Sequence, residues 1–158
     1  MYVTFVRPIL EYASVVWDGC SSAEIEKLEK VQLHAARIVT GLPIFASKES
    51  LYLETGWDPL RKRRENAKLM TMYKIHSNLV PQYLVDIIDN LKLSSRYSTR
   101  HVDDYTPART KLELYNTSFF PDAIRKWNSL ENDTKKSTST FQFRRNIFQS
   151  NNSQAPKH

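Results

Sequence analysis

Between Ser21 and Pro43, apolar side chains fall at Ile25, Leu28, Val31, Ala35, Ile38 and Val39. That three-to-four-residue spacing predicts a helix and rules out strand alternation. Both of its ends are written in the sequence. Ser21 is placed to cap the start, with Glu24 three residues on to complete a capping box. Gly41 and then Pro43 stop it, the first by turning left-handed, the second by lacking an N–H. The apolar stripe is expected to face a core, and Lys27, Lys30, His34 and Arg37 share another face.

The same reading predicts helices elsewhere. Apolar positions at Tyr2, Val6, Ile9, Leu10, Ala13, Val16 and Trp17 suit one helix over 2–17, with Pro8 in its first turn or at a bend; a short strand over Val15, Val16 and Trp17 is the alternative. A short helix capped by Ser47 follows. Asp58-Pro59 announces a long one to about Asn78, because an N-cap residue followed by Pro at the first position is a helix start. Gln82 to about Leu91 reads as a further helix with Leu84, Ile87 and Ile88 inward. Leu112 to Tyr115 alternates and is expected to be extended, pairing with Val102 to Thr106. Helices around Ile124 and Trp127 and over Thr140–Gln149 complete the chain. The fold class expected is mainly α: a helical body over 1–93, a linker or extended segment over 94–118, a C-terminal helical unit over 119–149 and a disordered tail over 150–158.

Composition narrows the chemistry. Among 158 residues there is one cysteine, Cys20, so no internal disulfide or multi-cysteine zinc site can form. The 3 glycines stand far apart, which removes glycine-rich phosphate loops. No apolar run is long enough to span a membrane, and the N-terminal stretch lacks the pattern of a signal peptide. The expected location is therefore cytoplasmic or nuclear. Net charge is +6. Residues 1–56 hold 5 basic and 7 acidic side chains, residues 57–93 hold 7 and 4, and residues 94–158 hold 11 and 6. Positive charge after the first long helix suits a polyanion; ordinary solubilising charge is the alternative.

The residues expected to touch phosphates are Lys27, Lys30 and Arg37 on one helix and the run Arg61, Lys62, Arg63, Arg64 on the next. Arg96, Tyr97 and Arg100 join them, in a polar segment where an aromatic interleaves with cations. Four cations near a helix N-terminus oppose its dipole. Changing Arg61 and Arg64 to Gln is therefore expected to weaken binding while leaving the free protein no less stable. No catalytic constellation emerges. Asp103-Asp104 could belong to a two-metal site, but no third carboxylate strand accompanies it, and it reads as a solvated acidic turn. Asp86 and Asp89 read as a solvated face. His76 reads as a cap-side or surface histidine, and Trp17, Trp57 and Trp127 as core anchors at element ends. No cofactor or metal is expected.

A resemblance extends this reading. Phe5-Val6-Arg7-Pro8-Ile9-Leu10-Glu11-Tyr12-Ala13-Ser14 with Trp17 resembles the segment after the polymerase core of non-LTR retrotransposon reverse transcriptases of the Jockey-like and chicken-repeat-like kinds. Leu28 to Gln32, Ala35-Ala36-Arg37 and Gly41-Leu42-Pro43 continue the likeness. So do Leu60, Arg63-Arg64, Tyr73-Lys74-Ile75, Ser118-Phe119-Phe120-Pro121 and Trp127-Asn128-Ser129-Leu130. Glu131 departs from it, standing where the family usually has Pro. The resemblance implies a thumb or post-thumb region that holds RNA or an RNA–DNA template–primer duplex, without the catalytic palm. From it follow a non-catalytic fragment of an RNA-directed DNA polymerase and sequence-independent nucleic-acid binding. A helical protein–protein module, or an expressed relic without function, are the alternatives. Oligomeric state is not legible.

Overall fold

The computed structural model describes residues 1–91, 104–106 and 111–153. Helix is the regular structure throughout them, and no strand occurs among the described residues. The chain divides into two compact units, Met1–Ala67 and Lys68–His158. The sequence reading draws its boundary at residue 93; packing draws it inside a helix.

In the first unit a π-helical stretch, Tyr2–Val6, runs into α1 (Arg7–Glu11). The single helix expected over 2–17 is broken. Tyr12 turns extended and Ala13 takes a left-handed conformation at φ 50° before α2 (Ser14–Trp17) restarts. The Trp17 indole donates to the Tyr12 carbonyl at 2.7 Å, satisfying a group that the break removes from helical bonding. Pro8 lies within the first turn of α1 and is not the interruption.

The long helix α3 (Ser22–Thr40) has the ends its sequence specifies. Ser21 Oγ accepts from the Glu24 N–H, and the Glu24 carboxylate accepts from the Ser21 N–H. Gly41 ends it at φ 68°, a backbone conformation costly for residues with a Cβ. Its buried face differs from the expected one. Gln32, Leu33 and Ala36 are buried, while Val31, Ile38 and Val39 of the apolar stripe are exposed. α4 (Lys48–Thr55) is capped by Ser47 and brings Leu51 against Leu33 and Ala36.

So small an apolar cluster leaves much of the unit to long-range polar links. Gln32 accepts from the Tyr2 hydroxyl at 2.8 Å and donates to the Asp58 carbonyl at 2.9 Å. Burial, the largest influence, helps push the Tyr2 phenol up to about 12. Glu29 accepts from the Tyr52 hydroxyl and, at 3.2 Å, from the Leu60 N–H. One carboxylate of α3 thus joins α4 and the first turn of α5 (Leu60–His76).

The second unit has the larger core. Leu69, Met72, Tyr73 and Ile75 of α5 meet Ile88 of α6 (Gln82–Asp89), Ile124 and Trp127 of α8 (Phe119–Asn128), and Phe143 and Ile147 of α10 (Thr140–Ser153). Tyr73 stacks on Phe143 with ring centroids 4.3 Å apart, and its hydroxyl donates to the Ser137 carbonyl at 2.8 Å. Of the run Leu112–Tyr115 only Leu112 is extended: α7 (Glu113–Asn116) is a helical turn. A short turn, α9 (Asn132–Lys135), precedes α10. α10 continues to Ser153, past the Gln149 expected as its end. Residues 154–158 of the expected tail, and most of the 94–118 segment, lie outside the described residues.

Candidate nucleic-acid interface

The α5 run Arg61–Arg64 is the densest cation cluster in the sequence, and the fold spends it internally. Arg64 is 2% exposed; its Nε donates to Asp18 Oδ1 at 2.6 Å, and its guanidinium lies over the Trp17 ring at 5.7 Å. Arg63 makes a two-point ion pair with Glu11, which holds its guanidinium above its ordinary range, hydrogen bonding being the chief cause. Lys62 pairs with Asp58 at 3.1 Å. Arg61 points to solvent, 3.5 Å from Glu65. The first N–H of the helix, a donor that could have met a phosphate, is already held by Glu29. The structure argues against neutralising Arg64 at no cost in stability: it is ion-paired with Asp18, whose side chain is 11% exposed.

The cations of α3 are placed differently. Lys27, Lys30 and His34 are exposed and Arg37 is half-buried. No carboxylate stands within ion-pair distance of Lys27, Lys30 or Arg37 among the described residues. Arg37 Nε is buried without an acceptor among them. Arg96, Tyr97 and Arg100 lie outside the described residues.

Charge separates along the unit boundary. Residues 1–67 hold 9 basic and 9 acidic side chains, net zero; residues 68–158 hold 14 and 8, net +6. In the second unit Lys74, Lys111, Arg125, Lys136, Arg144 and Arg145 are exposed. Lys68 and Lys135 are not: they are buried against Asp122 and Asp104, each at 2.6 Å.

The acidic and histidine candidates resolve into structure as well. Asp104 is not a solvated turn residue but a buried partner of Lys135; Asp103 lies outside the described residues. Asp86 and Asp89 are exposed. His76 is no surface histidine. Its Nδ1 is hydrogen-bonded to the Tyr105 hydroxyl at 2.7 Å, and its ring lies 4.9 Å from that of Trp127. Trp127 is fully buried, while Trp17 and Trp57 are half-buried. No group of three or more metal-ligating side chains occurs among the described residues, and none of their helices is long and apolar enough to cross a membrane.

Sequence reasoning missed Glu11, Asp18, Glu29 and Gln32 as the links of the first unit. Their partners are 23 to 52 positions away, beyond the reach of local spacing. It also missed the exposed apolar side chains of that unit, among them Phe5, Ile9, Val16, Phe45 and Leu53. Compared with family models, with curated proteins and with solved structures, the chain matches none.

Proposed function

We propose that this chain is a non-catalytic, helical part of a reverse-transcriptase-like protein of the non-LTR retrotransposon class, and that it binds RNA or template–primer duplex through phosphates without reading sequence. The motif order from Phe5 to Leu130 supports the family reading. The observation that carries the binding reading is the confinement of the whole net charge of +6 to residues 68–158. A polyanion is attracted by unbalanced charge, and cations already matched to carboxylates add little to that field. The best carriers are accordingly exposed cations of the second unit such as Lys74, Lys111, Lys136, Arg144 and Arg145.

The test is a titration of labelled RNA, DNA duplex and RNA–DNA hybrid at several salt concentrations. Affinity is expected to fall steeply with salt and to differ little among sequences. Arg144→Gln with Arg145→Gln should flatten the salt slope by about one unit per lost phosphate contact. Absence of binding at low salt would leave the helical protein-interaction module as the better reading.

A further inference from the structure

The outward face of α3 combines two features that a phosphate backbone does not use together. At about 100° per residue, Lys27, Val31, His34 and Ile38 fall along one line of the helix. That line stands opposite the buried face of Gln32, Leu33 and Ala36. Val31 is 44% and Ile38 72% exposed. Lys30 and Arg37 run along one side of it, without carboxylate partners among the described residues. The spacing of the line, four, three and four residues, is that of a helix-pairing seam.

We propose that this face docks an amphipathic helix of a partner protein, one with an apolar stripe flanked by carboxylates. Charge complementarity selects the occupant. Unpaired cations along an apolar seam favour an acidic flank and disfavour a basic one. A second copy of α3 does not meet that condition, because antiparallel pairing of the seam would bring Lys30 beside Arg37 of the other copy and parallel pairing would set Lys27 against its own twin. Phosphodiester does not meet it either: it would satisfy the cations but leave Val31 and Ile38 without an apolar surface to bury. The seam gives the partner its register. This inference is independent of the nucleic-acid reading, which rests on the second unit.

The probe is a fluorescent synthetic helix of about three heptads with Leu at the seam positions and Glu flanking them. It is titrated into the full chain beside a peptide with Lys in place of Glu. The Glu-flanked peptide should bind at least about tenfold more tightly than the Lys-flanked one. Val31→Ser with Ile38→Ser, both at exposed positions, should keep the helical circular dichroism and weaken binding at least about tenfold. Lys27→Glu with Lys30→Glu should invert the peptide preference. No binding of the Glu-flanked peptide, equal binding of both peptides, or indifference to the Val31/Ile38 change each overturns the proposal. So does duplex RNA binding that is lost with Lys27→Glu and Lys30→Glu but untouched by Val31→Ser and Ile38→Ser, which would make this face a phosphate site.

Discussion

Arg64→Gln separates a structural arginine from a binding one. The Arg64 side chain is 1% exposed and that of its partner Asp18 11%, so solvent screening removes little of the interaction. Deleting the guanidinium removes the ion-pair partner of a carboxylate only 11% exposed, a loss of about 3–5 kcal/mol. Its cover over Trp17 goes too. Against this, the Nη1 and Nη2 groups are buried with no acceptor among the described residues. Their removal relieves a desolvation cost on the order of 1–3 kcal/mol. The net loss expected is about 2 kcal/mol, the difference of the two midpoints, a large share of what a unit this small can hold in reserve. Arg61→Gln, at an exposed pair four residues apart, should stay within about 0.5 kcal/mol. The assay is urea unfolding read by hydrogen exchange in peptides of residues 1–67, so that the second unit does not mask the transition. Asp18→Asn with Arg64→Gln should cost less than the two single changes added, with a coupling of about 1–3 kcal/mol. If Arg64→Gln shifts the midpoint no more than Arg61→Gln does, the pair is not holding this unit and the reasoning fails.

Glu29→Leu should destabilise the first unit by about 2–3 kcal/mol, since a carboxylate accepting from both the Leu60 N–H and the Tyr52 hydroxyl is lost, whereas Glu29→Gln keeps an acceptor and should lose less. Unfolding midpoints of the two variants, compared in one buffer, decide this; equal midpoints would remove Glu29 as the junction. For Asp122 burial is the largest influence and pushes its carboxyl up, but Lys68 and Lys126 together outweigh it and hold the group below the ordinary carboxylate value of 3.8. A depressed carboxyl stabilises the fold above that ordinary value, and the contribution disappears as pH falls through the lowered one. Thermal unfolding of the second unit from neutral pH to about pH 2 should therefore show an acid loss that Asp122→Asn reduces; an unchanged profile would assign the loss elsewhere.

Element ends were the most legible part of this fold, because capping chemistry is local. Ser21 with Glu24, Gly41 and Ser47 each stand where the sequence places a helix boundary. The faces of the helices were less legible. The apolar residues of α3 spread around much of its circumference, and which arc is buried is decided by α4, by Tyr2 and by Asp58, none of them local to it. The break at Tyr12–Ala13 left no Gly or Pro to mark it. It is held by the Trp17 indole, a contact that residue spacing does not encode. Leu112–Tyr115 was too short to separate alternation from a single helical turn, where the two periods predict nearly the same residues.

Four consecutive cations look like a binding patch in a sequence and are the opposite on a helix. Neighbours in the chain point about 100° apart, so Arg61 to Arg64 radiate from α5 rather than line up. Arg63 reaches Glu11 and Arg64 reaches Asp18, while Lys62 turns back to Asp58 and Arg61 forward to Glu65. A ligand surface needs cations that recur every three or four residues, and only then do they share a face. Lys27, Lys30, His34 and Arg37 on α3 have that spacing. The run on α5 became an internal fastening because its direction changes at every residue. Among the described residues no carboxylate of its own unit comes within ion-pair distance of Lys27, Lys30 or Arg37, and the nearest influence is that between Lys27 and Glu24, one turn before it. That contrast is why a partner of acidic character is expected at α3, and why polyanion binding is expected from the net charge of the second unit.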